Sequence, residues 1–192
     1  MRTVLCVAAA LLVVVAAGCG GGGQSSTAAN PNAPEHSPPG DIPDNQAFVP
    51  YAPPRAGYSV KVPEGWSLTS SGGAVSFTDK LNSVRLQATN AGSPPTVAGV
   101  RRTVLPALAR TEAGFKAGTV GTVRRSAGQA LRITYLARGK PDPVTGKARV
   151  DAVERYLFFH NGREAVVTLS GPQGADNVDP WRIITDSLQW TG

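Results

Sequence analysis

The feature that most restricts the fold is the dipeptide Asn161-Gly162, set between two runs rich in strand formers, Val150 to Phe159 and Glu164 to Ser170. Asn-Gly accepts positive backbone φ at both positions, which a two-residue turn needs if its twist is to match the flanking strands. The spacing therefore predicts a tight antiparallel hairpin. Similar punctuation repeats along the chain from Gly57 onward. Tyr58-Ser-Val-Lys-Val62 alternates apolar and polar before Pro63-Glu64-Gly65 turns it into Trp66. Ala74 to Thr78 and Val84 to Thr89 follow the turns Ser71-Gly72-Gly73 and Asp79-Lys80-Leu81-Asn82. These runs read as a meander of three or four strands, each with one buried face. Strands resume at Thr119 to Arg125. The run after it sets Leu131, Ile133, Tyr135 and Ala137 on one side and Arg132, Thr134 and Arg138 on the other.

Two segments change the period. After Pro94-Pro95-Thr96, the residues Val97, Val100, Val104, Leu105 and Leu108 fall at helical spacing, with Arg101, Arg102 and Arg110 on a solvated opposite face. Pro106 removes a hydrogen bond inside this helix, which is expected to kink or divide there. A closing helix is expected with Asp179 as N-cap and Pro180 at its first position, placing Trp181, Ile184 and Leu188 on one stripe over the sheet. Strands, helix, strands, helix with short turns imply an α+β domain: an antiparallel sheet of about six to eight strands covered by two main helices.

The N-terminus carries a different message. Met1-Arg2 is positive, and the apolar run Val4 to Ala17 ends at Gly18-Cys19. A span of hydrocarbon needs about 20 apolar residues, and the glycines at 20–23 cut this run short. Residues 1–18 therefore read as an export signal whose removal leaves Cys19 to carry a lipid. The site resembles the bacterial lipobox, with Ala16 where Leu is commonest; an ordinary signal peptide cut at a small-x-small site is the alternative. Cys6 and Cys19 are the only cysteines, so the mature chain keeps no thiol for a disulfide. Residues 19–56 hold scarcely any large apolar side chain before Phe48, too little to offset the entropy of ordering. They are expected to be a tether, and a chain lacking Gly20 to Asn45 is expected to fold as well as the whole. The folded domain is placed at 57–192, on the outer face of the cytoplasmic membrane.

The fragment Tyr58-Ser-Val-Lys-Val-Pro-Glu-Gly-Trp66 resembles the opening strand and turn of the PsbP-like (Mog/PsbP) α/β/α sandwiches, and Trp181-Arg-Ile-Ile-Thr-Asp-Ser-Leu188 is similar to their final helix. Actinobacterial lipoproteins of the LpqN type resemble the same fold. The resemblance implies a sandwich and an envelope setting, and it carries over no site residues, since one fold hosts many functions.

The chemistry is sparse. His160, beside the expected turn, is the domain's single histidine, too few for a zinc-type site, and no nucleophile motif is present. Asp151 and Glu154 lie three apart on one strand, hence on opposite faces. Neither a metal nor a cofactor is expected, and the aromatic residues read as core packing. The chain carries 19 Lys and Arg against 13 Asp and Glu, net +6. Export argues against nucleic acid as the partner, so basic balance points to lipid head groups or acidic wall polymers, or to nothing more than the scattered charge of an ordinary soluble surface. The densest positive segment is the expected long loop from Ala137 to Val150, where Arg138, Lys140, Lys147 and Arg149 are candidate contacts to an anionic surface. The reading that follows is a non-enzymatic envelope lipoprotein, a membrane-tethered binding or scaffolding domain with an envelope protein or lipid as partner. A carrier of a hydrophobic ligand and an exported enzyme are the alternatives.

Overall fold

The computed structural model describes residues 39–141 and 146–191, all within one compact unit spanning His36–Gly192. The expected signal segment, Cys19 and the first part of the expected tether lie outside the described residues. Among the described residues no helix is long and apolar enough to cross a membrane.

The strands are β1 (Phe48–Tyr51), β2 (Tyr58–Pro63), β3 (Ser67–Ser71), β4 (Ala74–Asp79), β5 (Asn82–Asn90), β6 (Lys116–Arg125), β7 (Gly128–Pro141), β8 (Ala148–His160), β9 (Arg163–Pro172) and β10 (Gln189–Trp190). Seven of them form one antiparallel sheet in the order β3-β4-β5-β9-β8-β7-β6, and β1-β2-β10 form a second, small sheet. The seven-stranded sheet meets the expected size. The small one corrects the expected meander, because β2 leaves β4 and β5 to pair with β1 and β10 instead.

Alternation along the long strands loads both faces of the large sheet. Val84, Leu86, Tyr156, Phe158, Val167 and Leu169 point to one face and are buried there against β2 and the last helix, whose Trp181 and Ile184, with Leu188 just beyond it, fill the gap. Leu131, Ile133, Tyr135, Ala137, Val153 and Leu157 point to the other and pack under Val100 and Leu108 of the first helical segment. The result is three layers with two cores, and burial of this apolar surface is the main force holding the layers together.

The first helical segment runs as α1 (Val97–Gly99), a π-helical turn (Val100–Val104) and α2 (Leu105–Thr111). Thr96 opens it, its Oγ1 accepting from the Gly99 N–H at 3.0 Å. The expected division at Pro106 takes this form: the Leu105 N–H bonds back to the Val100 carbonyl, a five-residue reach, just before the proline that cannot donate. Arg101, Arg102 and Arg110 are exposed, as their spacing required.

α3 (Val178–Asp186) starts earlier than expected, with Asn177 rather than Asp179 at its N-cap. The Asn177 side chain does not cap. It accepts from the Ile42 N–H (2.8 Å) and donates to Gly40 O (3.0 Å) and to Asn82 Oδ1 (3.1 Å). Those contacts overturn the expected domain boundary at 57. Ile42 is buried, Asn82 Nδ2 donates to Gly40 O (2.9 Å), and β1 adds an outer strand to β2, with Tyr51 edge-on to Phe77 at 4.9 Å. The described chain is thus part of the domain from its first residues. Gly40, at φ 101, lies where a Cβ would meet Pro172 at 2.4 Å, so only glycine allows this approach.

Candidate functional site

The hairpin expected from Asn161-Gly162 is present. Both residues have positive φ, 46° and 78°, and His160 pairs with Arg163 across the turn. Strand register then sorts the molecule into two ends. The β4–β5 turn, the β7–β8 hairpin tip, the end of β9 and the segment around Gly40 gather at one end. The β8–β9 turn lies at the other, nine residues along β8 from Asp151, or about 30 Å at strand rise.

The basic segment occupies the first end, and it is mostly strand. β7 continues to Pro141 and β8 begins at Ala148, so much of the expected long loop is strand, and residues 142–145 lie outside the described residues. The four candidate cations do not converge. Arg138 is exposed and pairs with Val150, whereas Arg149 lies on the other strand face with Asp151, and the side chain of Lys140 is outside the described part. Lys147 is exposed. Arg149 is engaged: its Nε donates to Asp151 Oδ1 at 2.6 Å and its Nη2 to Leu81 O at 2.9 Å. Asp151 is buried, so this pair ties the hairpin to the β4–β5 turn. Replacing Arg149 by Gln should therefore lower stability by about 3 kcal/mol, because it leaves a buried carboxylate without its partner, while Arg138→Gln should change it by less than about 0.5 kcal/mol. Urea midpoints of the two variants check this; equal midpoints would remove Arg149 from the structural role.

Glu154, on the opposite face from Asp151, belongs to a second network. Its Oε1 pairs with Arg132 Nη2 at 2.7 Å, and its Oε2 accepts from the Tyr156 hydroxyl at 2.6 Å. Arg125 donates to that hydroxyl through Nη2 (3.0 Å) and to Thr185 Oγ1 through Nε (2.9 Å), and its guanidinium lies 5.2 Å from the Tyr156 ring centroid. Burial pushes the Tyr156 hydroxyl up to about 12, with the bond to Glu154 adding to the effect. The network links β6, β7 and β8 to α3. Next to it, Leu136, Ala152, Val153, Glu154 and Trp181 line a surface groove of about 280 Å³. Among the described residues no three His, Cys, Asp or Glu side chains are grouped to hold a metal ion.

At the far end is a cleft of about 510 Å³ that the sequence did not reveal, lined by Arg55, His160, Asn161, Arg163 and Trp190 with the backbone of Gly57. His160 stacks on Trp190, centroids 5.4 Å apart and planes 26° apart, and Trp190 meets Tyr58 edge-on at 6.0 Å. The Thr191 N–H donates to Gly57 O at 3.0 Å, fixing the chain end to the loop before β2. No lining side chain is acidic. His160 and Arg163, legible only as turn flanks, become two walls of this cleft; Arg55 and Trp190 reach it from segments more than 100 residues apart.

No protein-family model matches the chain, and no curated protein resembles it in sequence. Solved structures do share its architecture. The Ran-binding protein Mog1p of Saccharomyces cerevisiae superposes with a TM-score of 0.52 at 10% identity, covering 76% of this chain and 96% of its own. The cyanobacterial PsbP of Synechocystis gives 0.52 at 13% identity, covering 76% and 93%. LpqN of Mycobacterium tuberculosis, described as involved in cell envelope biogenesis, superposes less closely, at 0.43 and 15% identity over 78% and 93%. The first two establish the α+β, PsbP/Mog1p-like fold, and at such identities the likeness is one of fold alone.

Proposed function

We propose that this chain is an exported lipoprotein, anchored through Cys19 to the outer face of the cytoplasmic membrane, whose domain is a non-enzymatic binding or scaffolding module. The observation that carries this reading is the two-ended arrangement set by strand register. The segment leading to Cys19 joins the domain at Gly40, on the end that also carries the basic β7–β8 hairpin, and the open cleft lies at the opposite end. Arg138 and Lys147 are exposed on the end where the tether joins, and the cleft opens at the other end. The carboxylates that an enzyme would use, Asp151 and Glu154, are each committed to an arginine on separate faces, which favours binding over catalysis.

Metabolic labelling with a fatty-acid analogue tests the anchor. The wild-type protein should take up label and sediment with membranes, and Cys19→Ala should lose both, because its thiol is the acceptor at the cut site. Equal labelling of the two proteins would overturn the assignment. A carrier of a hydrophobic ligand is the second reading, favoured by the largely apolar groove beside Trp181. Its volume is at the small end for a ligand site, which places this reading second.

A further inference from the structure

We propose that the cleft between the β8–β9 turn and the end of β10 binds a phosphate group, carried by an envelope ligand or free. The inference rests on reading the domain as a binding module, and it does not depend on the lipid anchor.

Three chain segments bring cationic and aromatic side chains to one concavity with no carboxylate to neutralise them. Arg163 is held in place without being consumed. Its guanidinium lies over Gly57, where a Cβ would stand 2.5 Å from Nη1, and Nη1 donates to Arg55 O at 3.2 Å. That is the one hydrogen bond this side chain makes among the described residues, and a guanidinium has five N–H donors, so most of the fork remains for a ligand. Arg55 adopts φ 61, a conformation that a residue with a side chain resists and glycine accepts. The turn closed by the Ala56 N–H on Pro53 O at 3.1 Å, with Pro54 before Arg55, sets that angle and holds the Arg55 side chain at the cleft. The Arg55 side chain makes no hydrogen bond or ion pair among the described residues. His160, braced on Trp190, adds a third polar group, and the Asn161-Gly162 turn fixes its position.

This donor set suits phosphate better than a carboxylate. A planar carboxylate is satisfied by one arginine fork, whereas a tetrahedral phosphate offers oxygens in several directions to two guanidinium groups and an imidazole. The volume leaves room for a sugar or glycerol attached to it. Because the cleft is about 30 Å from the end where the tether joins, a phosphate on a wall polymer or small molecule is placed better than a head group of the anchoring membrane.

The test uses the chain from Gly20 onward, which keeps every described residue, and follows the Trp190 indole N–H by NMR, assigned with Trp190→Phe. Inorganic phosphate and glycerol phosphate should each shift it saturably, and acetate or chloride at matched ionic strength should not. Phosphatidylglycerol vesicles form a third arm, expected to perturb Trp190 less than glycerol phosphate does. Arg163→Gln and Arg55→Gly should each weaken phosphate binding at least tenfold. Arg55→Gly separates binding from structure: glycine accepts that backbone angle, so its thermal midpoint should equal or exceed the wild type while binding is lost. A phosphate response matched by acetate, an absent response, or one unchanged in Arg163→Gln would overturn the site. None of these outcomes bears on lipid labelling of Cys19, so the two proposals fail separately.

Discussion

Trp181→Ala should lower the stability of the domain by about 3–5 kcal/mol, a large fraction of the total for a domain of this size. Trp181 is 9% exposed and stands with Ile184 on the one face of α3 that meets the large sheet. Its backbone N–H also closes the first turn of α3 onto Asn177 O at 3.0 Å, and its carbonyl accepts from Thr185 Oγ1 at 2.9 Å, but the alanine variant keeps both bonds. The loss is therefore one of packing. The groove that Trp181 helps to line opens to the surface, so water can enter the space vacated, which sets the expectation nearer the lower figure. Ile183 is the internal control: it is 44% exposed on the opposite face of the same helix, and Ile183→Ala should move the midpoint by less than about 1 kcal/mol. Urea unfolding of both variants checks the pair. Equal midpoints for Trp181→Ala and wild type would mean that α3 does not close this core.

What the sequence made legible is what local periodicity can encode. Leu131, Ile133, Tyr135 and Ala137 alternate with Arg132, Thr134 and Arg138, and the structure buries the first set under the helical segment. The Trp181, Ile184, Leu188 stripe was equally plain, as was the turn at Asn161-Gly162. β3 was not, because it reads Ser-Leu-Thr-Ser-Ser and all five residues are exposed. Pairing with β4 and the glycine turn hold it, and neither leaves a hydrophobic pattern. β10 is two residues long and exists by pairing with β2, some 130 positions earlier.

The site was less legible for the same physical reason. Arg149 reads as one charge among four in a basic stretch, yet it stands two residues from Asp151 on one strand, and positions two apart share a face. That spacing was a usable signal, as was Glu154 with Tyr156. The far cleft had no such signal. Arg55, His160 and Trp190 come together only after β2 has left the large sheet, and no local pattern announces that topology.

The segment before β1 gives the second large effect, and it reverses an expectation drawn from composition. A chain starting at Gln46 should be less stable than one starting at His36 by about 2–4 kcal/mol. The shorter chain loses Ile42, which is 4% exposed in the core shared with Val62 and Leu169, and burial of such a side chain contributes about 1.5–3 kcal/mol. It also loses five hydrogen bonds: Ile42 N–H to Asn177 Oδ1, Asn82 and Asn177 to Gly40 O, Asp176 N–H to Asp41 Oδ1, and Gln46 N–H to Pro43 O. Each contributes about 1 kcal/mol net. Against this stands the entropy regained when residues 40 to 45 no longer have to be ordered, which keeps the net figure below the sum. Asn177 and Asn82 are 3% and 7% exposed, and truncation uncovers them to water, so neither is left buried without a partner. Ile42→Ala in the longer chain isolates the packing part and should lower the midpoint on its own. If chains starting at His36 and Gln46 unfold at the same urea concentration, the residues before Gln46 add nothing to the domain, and the tether extends at least to Asn45.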